Sequence, residues 1–162
     1  MRFISMAFFC LLGSPVLAGE CDRWTASIQE EEVGPLMTAS ICTRADKPEF
    51  QHELFIQCAG EGNLWIRYIP FADEGYPPGG NQGFETRLEF SLDEEKFTEP
   101  ARYEDMDGAM AMDTTVDAPL IAAMRNHKQL VLSDTGGKVP GTTFTLDGAR
   151  EALETLAKSC KP

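Results

Sequence analysis

The side chains of this chain with chemistry to offer are five cysteines, two histidines, seven methionines and two runs of carboxylates. Cys10 lies in the apolar N-terminal run, while Cys21, Cys42, Cys58 and Cys160 form an even set with three possible pairings into disulfides. Zinc is the rival use of four thiols, but no close Cys-x-x-Cys pair is present. Met106, Met110 and Met112 supply thioethers, the soft donors that suit Cu(I), yet Met110 and Met112 also alternate as core-strand residues do. Asp105, Asp107 and Gly108 are a fragment of a calcium loop. With Gly108 in the turn position the first ligand would be Tyr103 and the last Thr114, so the pattern fails at both ends. Glu30-Glu31-Glu32 and Asp93-Glu94-Glu95 would do acid–base work on a sugar only if a cleft raised one pKa, and charge runs at turns are usually solvated. His52 beside Glu53 and His127 in a polar turn accompany neither a nucleophile elbow nor a zinc-protease helix, and are expected at the surface. No catalytic residue, metal or cofactor is expected.

The first residues set the expected compartment. Met1 and Arg2 give a positive start to the apolar run Phe3 to Leu12; Gly13, Ser14 and Pro15 break it, and Val16-Leu17-Ala18 suits a signal peptidase, so residues 1–18 are expected to be a secretory signal cleaved after Ala18. The run falls short of the roughly 20 residues of a membrane span. Leu17-Ala18-Gly19-Glu20-Cys21 resembles a lipoprotein box, but Glu20 separates the glycine from the cysteine, and a mature protein without a lipid anchor is expected. Cleavage removes Arg2 and no acid, taking the formal charge from −12 to −13. Such a chain is repelled by nucleic acid and by anionic membrane surfaces, so the natural partner is a protein with a basic surface.

The elements that must position these residues follow from periodicity. Trp24, Ala26 and Ile28 alternate with polar residues, as do Met37, Ala39 and Ile41, predicting two strands about a turn near Gly34-Pro35. Leu54, Ile56 and Cys58 predict a third strand, and Gly60-Glu61-Gly62-Asn63 turns it into Leu64 to Ile69 as a hairpin. Phe84, Thr86, Leu88, Phe90 and Leu92 form the longest strict alternation. Asp117 and Pro119 predict a short helix from Ala118 to Asn126, followed by strands at Gln129–Leu132 and Thr142–Leu146. Asp147 is expected to cap a final helix with Ala149, Leu153, Leu156, Ala157 and Cys160 on one face. The predicted fold is mainly β (α+β): one domain over residues 19–162, an antiparallel twisted sheet or β-sandwich with a short helix and a C-terminal helix packed on it.

Face parity then favours one wiring. Cys21 and Cys42 fall on the outer face of one hairpin, whereas Cys58 shares the inward face with Leu54 and Ile56 and Cys160 lies on the apolar stripe of the last helix. Cys21–Cys42 with Cys58–Cys160 is preferred, and Cys21–Cys160 with Cys42–Cys58 is the second choice. The stretch Asp73 to Gly83 is too rich in glycine and proline for a regular element and is expected as a long surface loop. Within it Asp73, Glu74 and Tyr76 combine acids with an interface-type aromatic, and are the expected partner-binding residues.

Leu54-Phe55-Ile56-Gln57-Cys58 with Asn63-Leu64-Trp65-Ile66, Thr86-Arg87-Leu88-Glu89, Leu120 to Met124, and Phe144-Thr145-Leu146-Asp147-Gly148 with Cys160 resemble the VasI-like proteins associated with type VI secretion. The tail from Pro119 to Leu156 also resembles the invasion-associated locus B family, although Glu104 to Gly108 stands where that pattern carries a further close cysteine pair. Both resemblances imply a periplasmic or secreted β-rich accessory protein with no catalytic residue to carry over. The expected function is thus a non-catalytic envelope protein that binds a protein partner, the alternative being an envelope enzyme such as a cell-wall hydrolase.

Overall fold

The computed structural model describes residues 21–44, 51–71 and 83–160. The expected signal segment, residues 1–18, and the loop residues Asp73, Glu74 and Tyr76 lie outside the described residues. The elements in chain order are β1 (Thr25–Glu31), β2 (Gly34–Arg44), β3 (Gln51–Gly60), β4 (Asn63–Ile69), β5 (Glu85–Leu92), β6 (Glu95–Glu104), β7 (Ala109–Thr115), α1 (Pro119–Met124), β8 (Gln129–Asp134), β9 (Thr142–Thr145) and α2 (Ala149–Ser159). All nine strands form one antiparallel sheet in the order β1-β2-β3-β4-β7-β6-β5-β8-β9.

Turn chemistry sets much of the register. Glu61 and Gly62 both have positive φ, 53° and 81°, the backbone that a two-residue hairpin needs to match strand twist. Gly60 therefore faces Asn63, and a register shift between Cys58 and Gly60 then sets Ile56 opposite Ile66 and Leu54 opposite Tyr68. Asp93, at φ 53°, opens the equally tight β5–β6 connection, in which Leu92 faces Glu95. The first hairpin turns at Glu32 and Val33, with Gly34 and Pro35 already paired in β2, slightly ahead of the predicted turn.

One face of the sheet is the core. Leu54, Ile56, Leu64, Ile66 and Tyr68 continue across Met110 and Met112 of β7 and meet Leu88, Phe90, Leu92, Leu130, Leu132 and Phe144, all essentially fully buried. The sheet coils around this core until its ends approach each other. The Trp24 amide donates to the Asp147 carbonyl at 2.9 Å, and its indole Nε1–H donates to the Thr145 carbonyl at 3.0 Å, joining the entry to β1 with the exit from β9. Tyr68 donates to the Pro140 carbonyl at 2.7 Å and meets Phe144 edge to face. The helix α2 packs on β1, β2 and β3 through Ala149, Ala152, Leu153 and Leu156.

Both preferred disulfides are present: Cys21–Cys42 spans 21 residues of sequence and Cys58–Cys160 spans 102. The second fastens the C-terminal end of α2 to the β3–β4 hairpin, where the Gly62 amide also donates to the Cys160 carbonyl at 2.7 Å.

Four local expectations are corrected. Ile28, expected inward, is 64% exposed, because edge strand β1 outruns the part of the core that α2 covers. Strand β6 is not among the predicted elements, and Pro100 is unusual in a strand with neighbours on both sides. Its Arg102–Glu104 segment alone pairs with β7, so Pro100 sits where β6 has only β5 beside it and its missing N–H breaks no ladder. Neither helix has the expected aspartate cap. Ala118 precedes α1, with Pro119 in its first turn, and left-handed Gly148 precedes α2, leaving the Asp147 carbonyl to accept from Trp24.

Loop-closure entropy predicts unequal worth for the two bridges: about 3 kcal/mol for Cys21–Cys42 and about 5 kcal/mol for Cys58–Cys160. Denaturant unfolding of the C21S/C42S and C58S/C160S variants should show the larger loss in the second. Non-reducing peptide mapping should recover these two bridges, and a Cys42–Cys58 peptide would refute the wiring.

Candidate functional site

Among the described residues, two clefts at opposite ends of β1 gather charged side chains. The first is a cleft of about 560 Å³ where three turns meet: the entry to β1, the α1–β8 connection and the β9–α2 connection. Arg23, Arg125, Lys128 and Arg150 line it together with His127, Asp147 and Glu151. The turns are held together by backbone bonds, Leu146 N–H to the Lys128 carbonyl at 2.8 Å and Trp24 N–H to the Asp147 carbonyl. Gly148 is required at this junction. Its φ is +77°, and a Cβ there would stand 2.8 Å from the Trp24 carbonyl oxygen.

The cations of this cleft are under-compensated. Arg23 meets Asp147 at 3.7 Å, a long and exposed contact that contributes little. Arg150 donates to the Asn126 side-chain carbonyl at 2.8 Å, which orients its guanidinium without neutralising it. The Arg125 Nε–H is shielded from solvent and has no acceptor, a defect that costs on the order of 1–3 kcal/mol. Its position at the C-terminus of α1 suits the helix dipole, whereas Arg150 in the first turn of α2 is at the end where a cation is disfavoured.

His127 sits at the rim of the cleft with Nδ1 2.8 Å from Asp93 Oδ2 and Nε2 3.0 Å from Glu95 Oε1. Two carboxylates on two ring nitrogens suit the imidazolium, in which both nitrogens donate, and these bonds raise its pKa above 6.5. The expected solvated run Asp93-Glu94-Glu95 is thus partly a clamp on a histidine. His52, expected at the surface, is buried at 8% exposure; its Nδ1 accepts from the Phe71 amide at 3.1 Å and lies 3.1 Å from the Tyr68 hydroxyl, and desolvation lowers its pKa.

The second feature is a smaller cleft of about 310 Å³ at the tip of the β1–β2 hairpin, lined by Glu31, Glu32, Val33, Leu36, Trp65, Arg67, Met106 and Asp107. Val33 is 77% exposed and Met106 89%, beside three carboxylates. Behind it a polar ladder crosses the outer face. Gln57 donates to Glu31 at 2.8 Å, Arg67 donates to Gln57 and to Glu104 at 2.9 Å, and Arg102 bridges Glu104 and Asp113. This explains why polar Thr38 and Gln57 are buried on the sheet face away from the core.

The cysteines expected as site residues all serve as bridges. Met110 and Met112 are core residues of β7 and Met106 belongs to an exposed turn, so the thioethers are divided between core and surface. Among the described residues no three metal-ligating side chains cluster, and no helix is long and apolar enough to cross a membrane. The basic cleft escaped sequence reading, because Arg23, Arg125, Lys128 and Arg150 come from three separate stretches and each alone looks like a solvated charge.

No family model matches the chain, and no curated protein matches it. Among solved structures it is similar to the invasion associated protein B of Bartonella henselae, with a TM-score of 0.56 and 15% identity over 87% of this chain and 96% of that one. At this identity the likeness establishes the fold, and it agrees with the locus B resemblance at that level.

The two histidines should have opposite linkage to pH. His127, with its raised folded pKa, contributes stability that is present below about pH 6.5 and lost as pH rises through its folded value. His52, with its lowered one, destabilises as pH falls below about 6.5. NMR titration of the imidazoles should place His127 above and His52 below 6.5, and H127Q should flatten the alkaline side of the stability profile. Coincident titration of the two rings would contradict this geometry.

Proposed function

We propose that this chain is an exported accessory protein of the cell envelope that engages a partner protein with a basic surface and catalyses no reaction. The observation that carries the reading is the cleft at the β1–β2 tip, where exposed Val33 and Met106 stand beside Glu31, Glu32 and Asp107. Exposed apolar side chains ringed by carboxylates match a partner that is cationic at its rim and apolar at its centre. Methionine adds a side chain that adapts its shape to a partner. The formal charge of −12 favours encounter with such a surface over a wide range of approach.

Location outside the cytoplasm is supported by two disulfides, which persist in oxidising compartments, together with the expected signal segment. The structural likeness to an invasion associated protein supports a role at the cell surface or envelope by analogy of fold. Asp73, Glu74 and Tyr76 combine acids with an interface-type aromatic, and we assign them to partner contact.

Pulldown from an envelope extract, run beside a panel of cell-wall substrates, tests this function. The V33S/M106S variant should keep its melting temperature, since both side chains are exposed, yet bind its partner more weakly by about 1–2 kcal/mol. Y76A should behave alike. Undiminished capture by V33S/M106S would remove the cleft from the interface, and turnover of a wall substrate that a single polar substitution abolishes would overturn the non-catalytic reading.

A further inference from the structure

We propose that the cleft between Arg23, Arg125, Lys128 and Arg150 binds the oxyanion group, carboxylate or phosphate, of a small ligand. It lies at the entry to β1, roughly 20 Å along that strand from the Glu32–Val33 tip, so it is a second site and does not depend on partner binding there.

Charge distribution is the first support. The chain has 14 lysines and arginines against 26 acids, yet four of those cations line one cleft. Of the acids nearby, Asp147 faces Arg23, and Asp93 and Glu95 are taken by His127; Glu151 is the remaining carboxylate of the lining. Among the described residues Arg125, Lys128 and Arg150 have no carboxylate partner, in a protein whose overall charge would readily supply one.

The second support is geometry. Arg150 is already oriented by Asn126, so little side-chain freedom is lost when a ligand arrives. The Arg125 Nε–H lacks an acceptor, and the fork of a guanidinium matches the paired oxygens of a carboxylate or phosphate. Arg23 is held only by its long contact to Asp147 and can exchange it for a ligand oxygen. The supporting backbone is rigid, with the three turns cross-bonded and Gly148 pressed against the Trp24 carbonyl. A cleft of about 560 Å³ accommodates a ligand of metabolite size.

Isothermal titration calorimetry of the purified, oxidised protein with citrate and with inorganic phosphate, at low ionic strength, tests the site. At least one of the two should bind with one-to-one stoichiometry, and the choice between them identifies the oxyanion. R125A/R150A should weaken that binding at least tenfold, and K128A, at an exposed position that the fold does not need, should weaken it several-fold. R87A, whose cation lies outside the cleft, should bind as the parent does. The proposal is overturned if neither anion binds, if K128A and R125A/R150A bind as well as the parent, or if R87A weakens binding equally, which would mean diffuse attraction to any surface cation. Circular dichroism and melting temperature verify that each variant is folded, and K128A alone decides should the double variant unfold.

Discussion

The bond between Cys58 and Cys160 determines where the C-terminal helix can lie, and much of the remaining architecture follows from that placement. Its two cysteines are 102 residues apart, on β3 and at the end of α2, so the link draws the end of the chain onto the first half of the sheet. Ala149, Ala152, Leu153 and Leu156 then cover β1, β2 and β3, strands that would otherwise expose Ala39, Ile41, Leu54 and Ile56 to water. With its C-terminus fixed, the N-terminus of α2 falls beside the entry to β1, where the Asp147 carbonyl accepts from Trp24. A covalent constraint at one end of an eleven-residue helix thus organises the basic cleft at the other.

The coiled sheet divides the surface chemically. Its inner face is apolar almost without exception, and its outer face carries the Glu31–Gln57–Arg67–Glu104–Arg102–Asp113 ladder across β1, β3, β4, β6 and β7. The Arg67 and Arg102 guanidinium groups are satisfied within this ladder. Among the described residues the two clefts lie at the two ends, where strands give way to turns: acids with exposed Val33 and Met106 at one end, and at the other four cations of which only Arg23 meets a carboxylate. Opposite charge at opposite ends allows one small protein to engage two chemically different ligands.

The sequence was most legible where a residue's neighbours in the chain decide its environment. Alternation located β5, and the Glu61-Gly62 turn located the β3–β4 hairpin, because period and turn chemistry are local properties. Face parity favoured the wiring that is present over its alternative, since inward Cys58 shares the core side with Cys160 on the apolar stripe of the last helix. It was least legible where the outcome depends on a distant neighbour. Pro100 is tolerated because the β6–β7 pairing ends at Arg102, Thr38 and Gln57 are buried by a ladder assembled from five strands, and His52 is buried by Tyr68 and Phe71. The segments that resemble VasI-like proteins turn out to be largely core strands and helix, residues that any sheet of this kind needs, so they report fold more than function. The basic cleft has no local signature at all: residue 23 and residue 150 become neighbours only after the sheet has coiled.

Amide hydrogen exchange on the C58S/C160S variant, compared with the oxidised parent, measures most directly whether the helix depends on its bridge. Protection should fall in α2 and in β1 and β2 beneath it, while β5, β6 and β8, which α2 does not cover, keep theirs. Protection in α2 equal to the parent's, or a uniform loss across the whole sheet, would contradict the assignment of this bridge as the constraint that positions the helix.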